Sequence, residues 1–227
     1  MRVVLKYMRK GAANYISHLD MQRAFGRAVR RAGIDVVYSQ GFNPHILMSF
    51  ASPLSVGYAT NGDYLEMRMQ DGADISTVKS DLNAVFTSDI QILDVFEVTG
   101  NKKLMSLNDS AAYSISFTVE NEADCVKIKD TVQKISQSES YIANDRRGKP
   151  VDIVPLIRQL SVDGSVLYAL LKNTNDGALN PAVLAEAVLS EAGVAADYEI
   201  CRLECYGKIG GGVLPFTALK EKAAAGC

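Results

Sequence analysis

The chain has 227 residues, of which 48% are hydrophobic and 22% charged, so it can bury the core of one large domain or of two smaller ones. Its 24 basic and 26 acidic side chains leave a formal net charge of −2, which excludes a wholly cationic, histone-like nucleic-acid coat. No apolar run reaches the roughly 20 residues of a membrane-spanning helix, and the charged start lacks the apolar stretch of a signal peptide. We therefore expect a cytoplasmic α+β protein with no membrane association.

The first half of the chain alternates strand and helix patterns. In chain order, these patterns predict a strand at 3–9, a helix at 14–32, a strand at 36–38 that resumes at 45–51, a strand at 64–69, a helix at 75–86 and a strand at 90–98. Ser17 is expected to cap the first helix together with Asp20, and Gly33 to end it. The order β-α-β-β-α-β is the ferredoxin-like signature.

The second half repeats this order of elements. In chain order, its patterns predict a strand at 112–119, a helix at 126–135, a strand or helical turn at 153–162, a strand at 165–171, a helix at 181–192 and a strand at 198–206. Asn180 and Pro181 suit the cap and first turn of the last helix. The sequence therefore predicts two tandem ferredoxin-like units with antiparallel sheets, at 1–106 and 107–212, followed by a flexible tail at 213–227.

Positive charge is concentrated near the start of the chain. Residues 1–46 contain eight basic and two acidic side chains, a net charge of +6, whereas the rest of the chain carries −8. On the first predicted helix, Arg23, Arg27 and Arg30 lie opposite the apolar residues, with Arg31 at the edge. We call these four residues the arginine stripe. Because a guanidinium binds phosphate or carboxylate oxygens bidentately, the stripe is a candidate anion-binding surface; the alternative is a solvated face, or one paired with acidic residues of the second unit.

The loop that follows this helix is a second candidate contact. Residues 39–45 read SQGFNPH, a turn-forming segment with an aromatic in its middle. The candidate RNA contacts in this loop are Ser39, Gly41, Phe42, Asn43 and His45. Phe42 can stack on a base, as aromatics beside basic surfaces do in readers of single-stranded RNA, or it can fill the core, which is the commoner role for one phenylalanine.

Several of these segments together resemble a known family. Residues 17–20, the arginine stripe, Gly33 and residues 38–44 are similar to those of the bacterial radical-SAM-linked protein family, and the likeness is dense over residues 1–70. The function of that family is unknown, and its members are fused to, or encoded beside, a radical SAM enzyme. Their genes often lie near ribonuclease and ribosomal-protein genes. The resemblance implies a radical SAM partner, which would carry S-adenosylmethionine and an iron–sulfur cluster.

We expect no cofactor or metal in this chain itself. A radical SAM cluster needs three cysteines in a tight C-x3-C-x2-C run, and the four cysteines here are scattered: Cys125, Cys201, Cys205 and Cys227. On the predicted last strand, Cys201 and Cys205 would be about 13 Å apart, too far to share one metal ion. The two histidines, His18 and His45, complete no Cys/His site.

Two weaker candidates lie in the second half. Residues 144–150 form a basic loop, first of all a hairpin turn, whose Arg146, Arg147 and Lys149 could extend the arginine stripe if the two units face each other. Residues 208–212 read KIGGG, which is either a flexible exit to the tail or a loop whose amides approach phosphate. Such a glycine-rich loop on tandem ferredoxin-like units looks like the CRISPR repeat-processing endoribonucleases.

These observations lead to three functional hypotheses. The leading one is a non-catalytic RNA- or RNP-binding accessory module for a radical SAM partner. The second is a metal-independent endoribonuclease in which His18 acts as general base on a ribose 2′-hydroxyl. The third is a protein-interaction adaptor, in which the arginine stripe meets acidic residues of the partner.

Overall fold

The structure, a computed structural model, describes residues 1–220 and has a mixed α+β fold whose strands pair in a mostly antiparallel manner. The chain divides into two compact units. Unit 1 combines residues 1–108 with residues 204–220, and unit 2 is Asp109–Leu203. The expected division at 106 and 212 therefore needs correction, since the chain returns to unit 1 in the middle of the strand that was predicted to close the second unit. Element order alone cannot reveal such a return.

Unit 1 begins with the predicted order of strands and helices. The elements are β1 (Arg2–Arg9), α1 (His18–Arg31), β2 (Met48–Phe50), β3 (Ala59–Arg68), α2 (Val78–Val85), β4 (Ile90–Glu97) and the single turn α3 (Leu104–Leu107). Strand β1 lies between β3 and β4 and pairs antiparallel with both, so that Leu5 lies opposite Leu65 and Val95. Strand β2 pairs with the other edge of β3. The predicted helix at 14–32 is in fact a 3-10 turn, Gly11–Tyr15, followed by α1, because Ser17 interrupts it as a cap.

Aromatic packing holds α1 and α2 against this sheet. Phe25 of α1 is completely buried, and its ring centroid lies 5.0 Å from that of Tyr7, 5.5 Å from that of Phe50 and 5.0 Å from that of Phe86. All three contacts are edge-to-face, the arrangement that aromatic pairs prefer. This packing fixes which side of α1 faces the core and therefore which side faces solvent.

Unit 2 consists of the part of the chain that lies, in sequence, between the two segments of unit 1. Its elements are β5 (Asn108–Thr118), α4 (Glu122–Gln137), β6 (Ile142–Asn144), β7 (Pro150–Asp152), β8 (Ile157–Asp163), β9 (Val166–Thr174), β10 (Gly177–Ala178), α5 (Pro181–Ala192) and the first part of β11 (Asp197–Ile209). Strand β9 pairs antiparallel with both β5 and β8. Helix α5 starts as predicted, with the Asn180 side chain accepting from the backbone N–H of Ala182 at 3.0 Å, and it ends at Gly193 with a positive φ of 61°.

The last described residues return to unit 1. Strand β12 (Gly212–Pro215) pairs antiparallel with the end of β11, and Phe216 is fully buried with its ring 5.3 Å from that of Tyr64. Residues 213–220 therefore do not form the predicted flexible tail, because Phe216 supplies a core side chain. Residues 221–227 lie outside the described part of the chain.

Candidate functional site

Helix α1 presents the arginine stripe to solvent. Its start is fixed by Ser17, whose Oγ accepts from the backbone N–H of Asp20 at 3.2 Å and donates to the Asp20 carboxylate at 2.8 Å. From that start, the apolar side of the helix is buried in the core of unit 1: Met21, Phe25, Gly26, Ala28 and Val29. The arginine stripe consequently lies on the exposed side, as the helical spacing predicts.

Within residues 1–220, most of the arginine stripe forms no salt bridge. Arg23 Nη1 bonds Asp20 Oδ1 at 2.9 Å, and both side chains are exposed. Hydrogen bonds from Ser17 and Arg23 hold the pKa of Asp20 below its ordinary value of 3.8. Over residues 1–220, the other three guanidiniums of the stripe form no salt bridge and no hydrogen bond. Like charges on one helix face repel one another, and a bound anion would relieve that repulsion.

His18 lies at the first residue of α1 and is exposed. Its ring packs edge-on against Phe50, with the centroids 5.1 Å apart. Among the described residues, no side chain hydrogen-bonds to His18. A general base needs a hydrogen-bonding group to orient its ring, and residues 1–220 supply none to His18.

The loop at residues 39–45 is closed at its base and open at its tip. Ser39 Oγ lies 2.8 Å from His45 Nδ1 and accepts from the His45 backbone N–H at 3.1 Å, while the Ser39 backbone N–H donates to the His45 carbonyl at 2.8 Å. Gly41, with a φ of 120°, provides the turn. Phe42 projects from the tip with a relative exposure of 111%, so it does not fill the core. An aromatic ring so fully exposed is free to stack on a ligand.

A pocket of about 390 Å³ in unit 1 lies beside this loop and was not anticipated from the sequence. Its lining residues come from β1, α1, the end of the loop at 39–45, β2, β3 and the segment before α3. Because these segments are separated in the sequence, no contiguous motif signals the pocket. Its polar lining is Arg2, Gln22, His45, Ser49, Glu66, Arg68, Asn101 and Lys103. One register signal could have pointed to it, because Arg2 lies directly opposite Arg68 in the β1–β3 pairing.

The second basic loop is a hairpin turn within unit 2. Strands β6 and β7 pair with Asn144 opposite Pro150, and the Asp145 carboxylate accepts from the backbone N–H groups of Arg147 at 2.8 Å and Lys149 at 2.9 Å. These bonds hold the pKa of Asp145 below its ordinary value of 3.8. The side chains of Arg146, Arg147 and Lys149 are exposed. The turn therefore carries its own counter-charge.

The glycines at 210–212 form another tight turn. Ile209 pairs with Gly212 across a two-residue connection, and Gly210 and Gly211 both have positive φ, 62° and 90°. Such a hairpin requires φ > 0 at both central residues, which glycine tolerates without strain. This turn, rather than a flexible exit to a tail, accounts for the glycine run.

The described cysteines do not cluster. Cys125, Cys201 and Cys205 form no disulfide with one another, and Cys205 is buried with its Sγ 4.0 Å from Asp63 Oδ1. Cys227 lies outside the described residues. Between residues 1 and 220, no group of three or more His, Cys, Asp or Glu side chains is arranged to hold a metal ion. In the same part of the chain, no helix has both the length and the apolar character needed to cross a membrane.

Residues 2–181 match the family described as an uncharacterized protein conserved in bacteria (DUF2344). The chain belongs to this family. The DUF2344 match includes the arginine stripe, the loop at 39–45, all pocket residues and the β6–β7 turn, and it ends before the glycine turn at 210–212. No curated protein matches the chain. Among solved structures, one similar chain is a protein of unknown function from Galdieria sulphuraria, with 11% identity, coverage of 88% of this chain and 97% of that one, and a TM-score of 0.27.

Proposed function

We propose that this DUF2344 protein is a non-catalytic RNA- or RNP-binding accessory module that works with a radical SAM enzyme, and that unit 1 carries the RNA-binding surface. The observation that carries the proposal is the arginine stripe. Arg27, Arg30 and Arg31 are exposed on one side of a capped helix, and none of them forms a salt bridge within residues 1–220. Arg30 and Arg31 interact favourably with the dipole at the end of the helix. The like charges along this face nevertheless repel one another, and a phosphate backbone would neutralise them.

The exposed loop at residues 39–45 adds a second kind of contact. Phosphate contacts position a nucleic acid but carry no base information, so a module that engages RNA specifically also needs a contact to a base. Phe42, exposed at the tip of a loop closed by Ser39 and His45, is suited to stack on an unpaired base. Gly41 and Asn43 shape that tip.

The basic turn of unit 2 is proposed as a weaker contact. Arg146, Arg147 and Lys149 are exposed and can reach phosphate oxygens. Asp145, held ionised among them, offsets part of their charge. We therefore expect this turn to add less to RNA affinity than the arginine stripe does.

The radical SAM partner is proposed from the resemblance of residues 1–70 to the radical-SAM-linked family. S-adenosylmethionine and the iron–sulfur cluster would then reside on that partner. We also infer that each unit is a ferredoxin-like repeat. This inference is supported by the element order β1-α1-β2-β3-α2-β4 and by β5-α4-β8-β9-α5-β11, in which the first strand pairs with the third and the second strand also pairs with the third. Copurification of the chain with the radical SAM protein of the same bacterium tests the partnership.

The proposed RNA contact is tested by crosslinking in cells. RNA crosslinked to the wild-type chain is compared with RNA crosslinked to the R23A/R27A/R30A variant and to K127A/K129A/R158A, a control that removes three exposed cations from unit 2. We expect RNA to be recovered with the wild type and the control but not with the stripe variant. The stripe variant should keep the unfolding free energy of the wild type to within about 0.5 kcal/mol, because its side chains are exposed.

The other two hypotheses correspond to different outcomes of the same experiment. Shortened RNA ends that disappear in a His18→Ala variant would identify an endoribonuclease instead. Absence of RNA above background, together with radical SAM protein that is captured by the wild type and lost with the stripe variant, would identify a protein-interaction adaptor.

A further inference from the structure

The pocket of unit 1 has a polar wall in which the single carboxylate is already satisfied. Glu66 is 8% exposed, and its two oxygens accept from Ser49 Oγ at 2.9 Å, from the backbone N–H of Leu104 at 3.1 Å and from Arg2 Nη2 at 2.8 Å. A carboxylate with these partners is not available to repel or bind a ligand. The charge that the pocket offers to a ligand is therefore set by its other side chains.

Two of those other side chains are cations without a salt-bridge partner among the described residues. Arg68, at the end of β3, and Lys103, just before α3, both line the pocket, are exposed, and form no salt bridge over residues 1–220. Arg2 also donates to the carbonyls of Gly100 and Lys102, the latter at 2.7 Å, which ties down the segment that carries Lys103. The pocket thus presents two positive charges without salt-bridge partners among residues 1–220. Arg68 is held by β3, and Lys103 is held by the segment that Arg2 ties down.

The pocket also has an apolar wall. Leu47 and Met48, at the edge formed by β2, line the pocket and are half-buried, whereas Ile46 and Met67 belong to the buried core. A methionine side chain such as that of Met48 adapts to a flat aromatic surface and makes favourable sulfur–ring contacts. A ligand that combines an anion with a planar ring would therefore suit this set of lining residues. The volume of about 390 Å³ falls within the range of roughly 300–1,000 Å³ that small-molecule sites occupy.

The pocket adjoins the arginine stripe through Gly26. A Cβ placed on Gly26 would lie 3.5 Å from Met48 Cε and 3.9 Å from Arg30 Nη1, so the guanidinium of Arg30 and the apolar wall of the pocket border the same point. Gln22, one turn before Gly26, lines the pocket directly. A strand of RNA that follows the stripe along α1 would thus arrive at the pocket.

We propose that this pocket binds the phosphate and base of one nucleotide, with Arg68 and Lys103 on the phosphate and Leu47 and Met48 against the base. The nucleotide can come from two sources, a free nucleoside monophosphate or the phosphorylated 5′ end of an RNA. The second source rests on the proposed function, and the first does not. Two separate cations favour phosphate, whose oxygens can accept from several donors at once.

The proposal is tested by titrating the full chain with AMP, with adenosine, and with a single-stranded RNA of about ten nucleotides with and without a 5′ phosphate. The variants are R68A/K103A and, as a control with the same loss of charge, K129A/R158A, whose side chains are exposed in unit 2. We expect AMP or the 5′-phosphorylated RNA to bind the wild type and the control alike, and to bind R68A/K103A about tenfold or more weakly. Adenosine and the unphosphorylated RNA should be much less sensitive to R68A/K103A.

The two sources give different patterns. Loss of AMP binding in R68A/K103A identifies a free nucleotide as the ligand. This result stands even if the wild type binds no unphosphorylated RNA. In that case only the proposed RNA-binding function fails. Loss confined to the 5′-phosphorylated RNA identifies an RNA end. The pocket proposal is overturned if neither AMP nor a 5′ phosphate binds or contributes to binding, or if both double variants lose affinity equally. Denaturant unfolding of R68A/K103A checks that the pocket is intact, and R68K/K103R, which keeps both charges, should retain most of the affinity.

Discussion

The arginine stripe of α1 and the turn between β6 and β7 each place three or more cations within a few residues of one another. On α1 the spacing follows the helix, and within residues 1–220 only Arg23 of the arginine stripe forms a salt bridge. In the turn, Asp145 lies among the cations and accepts two backbone hydrogen bonds, so its negative charge is fixed in the middle of the cluster. The first cluster is thus left with an excess of positive charge, and the second is largely organised around its own anion.

The difference shows that the local density of basic residues is a poor guide to a binding surface. What matters is whether nearby carboxylates already pair with the cations, and whether such a carboxylate already stabilises the backbone conformation of the segment that carries them. In the turn, the Asp145 carboxylate accepts hydrogen bonds from the backbone N–H groups of Arg147 and Lys149. The basic side chains are tolerated there because this carboxylate lies among them. On α1, Arg30 and Arg31 lie in the last turn, where a cation interacts favourably with the helix dipole, but the guanidiniums of Arg27, Arg30 and Arg31 form no hydrogen bond within residues 1–220.

The largest expected effect is the difference in RNA affinity between variants that lack one or the other of these two clusters. Replacing Arg23, Arg27 and Arg30 by alanine should weaken binding to single-stranded RNA by about 30-fold or more and flatten the dependence of log K on log salt by about 2, the value for three lost phosphate contacts. Replacing Arg146, Arg147 and Lys149 should weaken binding by only about threefold, because Asp145 already offsets part of their charge. Titrations at several salt concentrations measure both quantities. Equal losses in the two variants would show that RNA affinity follows total charge, not the surface of α1.

A smaller effect is expected from Phe42, which has no counterpart at the tip of the unit 2 turn. Stacking of one base on an aromatic contributes about 1–3 kcal/mol, so Phe42→Ala should weaken RNA binding about fivefold or more. Stability should not change, because the ring is fully exposed. Phe42→Trp, which keeps a stacking surface, should restore the affinity. If the alanine variant binds RNA like the wild type, the loop at 39–45 makes no base contact.

Local signals allowed much of the fold to be predicted. The cap at Ser17, the stop at Gly33 and the Asn180-Pro181 start of α5 each depend on a few neighbouring residues, and the structure has all of them. The exposed side of α1 followed from the same reasoning, since the position of a side chain around a helix is set by its spacing from the buried residues. These are contacts within one turn or one element.

Non-local features could not be predicted from the sequence. The return of β11 to unit 1 depends on a strand pairing with residues far away in sequence, and the pocket brings Arg2, Arg68 and Lys103 together from separate segments. Phe42 was ambiguous for a related reason, since burial of one aromatic depends on what packs over its loop. The glycine turn at 210–212 was misjudged because β12, which makes it a hairpin, is short and carries no strong strand pattern.

Asp145 provides a test of how the unit 2 turn is organised. Asp145→Ala should accelerate hydrogen exchange of the Arg147 and Lys149 amides by about fivefold, since both lose their acceptor. Asp130→Ala, on the exposed side of α4, serves as the control. The folded pKa of Asp145 lies below its ordinary value of 3.8, so its stabilising effect is fully present above that pH and is lost as the pH falls through the folded pKa. Unchanged exchange in the variant would mean that the turn is held by its strands alone.

The smallest expected effect comes from the one anion beside the arginine stripe. Asp20→Asn removes the charge that pairs with Arg23, yet an amide oxygen can still accept from Ser17, so the start of α1 should stay intact. Exposed ion pairs are weak, and we therefore expect RNA affinity to rise only about twofold at low salt, with the gain shrinking as salt screens the charges. Asp35→Asn, an exposed change of the same kind off the helix, should leave the affinity unchanged. A lower affinity in the Asp20 variant would mean that the Asp20–Arg23 pair holds Arg23 in its binding position, and the stripe would then resemble the unit 2 turn in needing its own carboxylate.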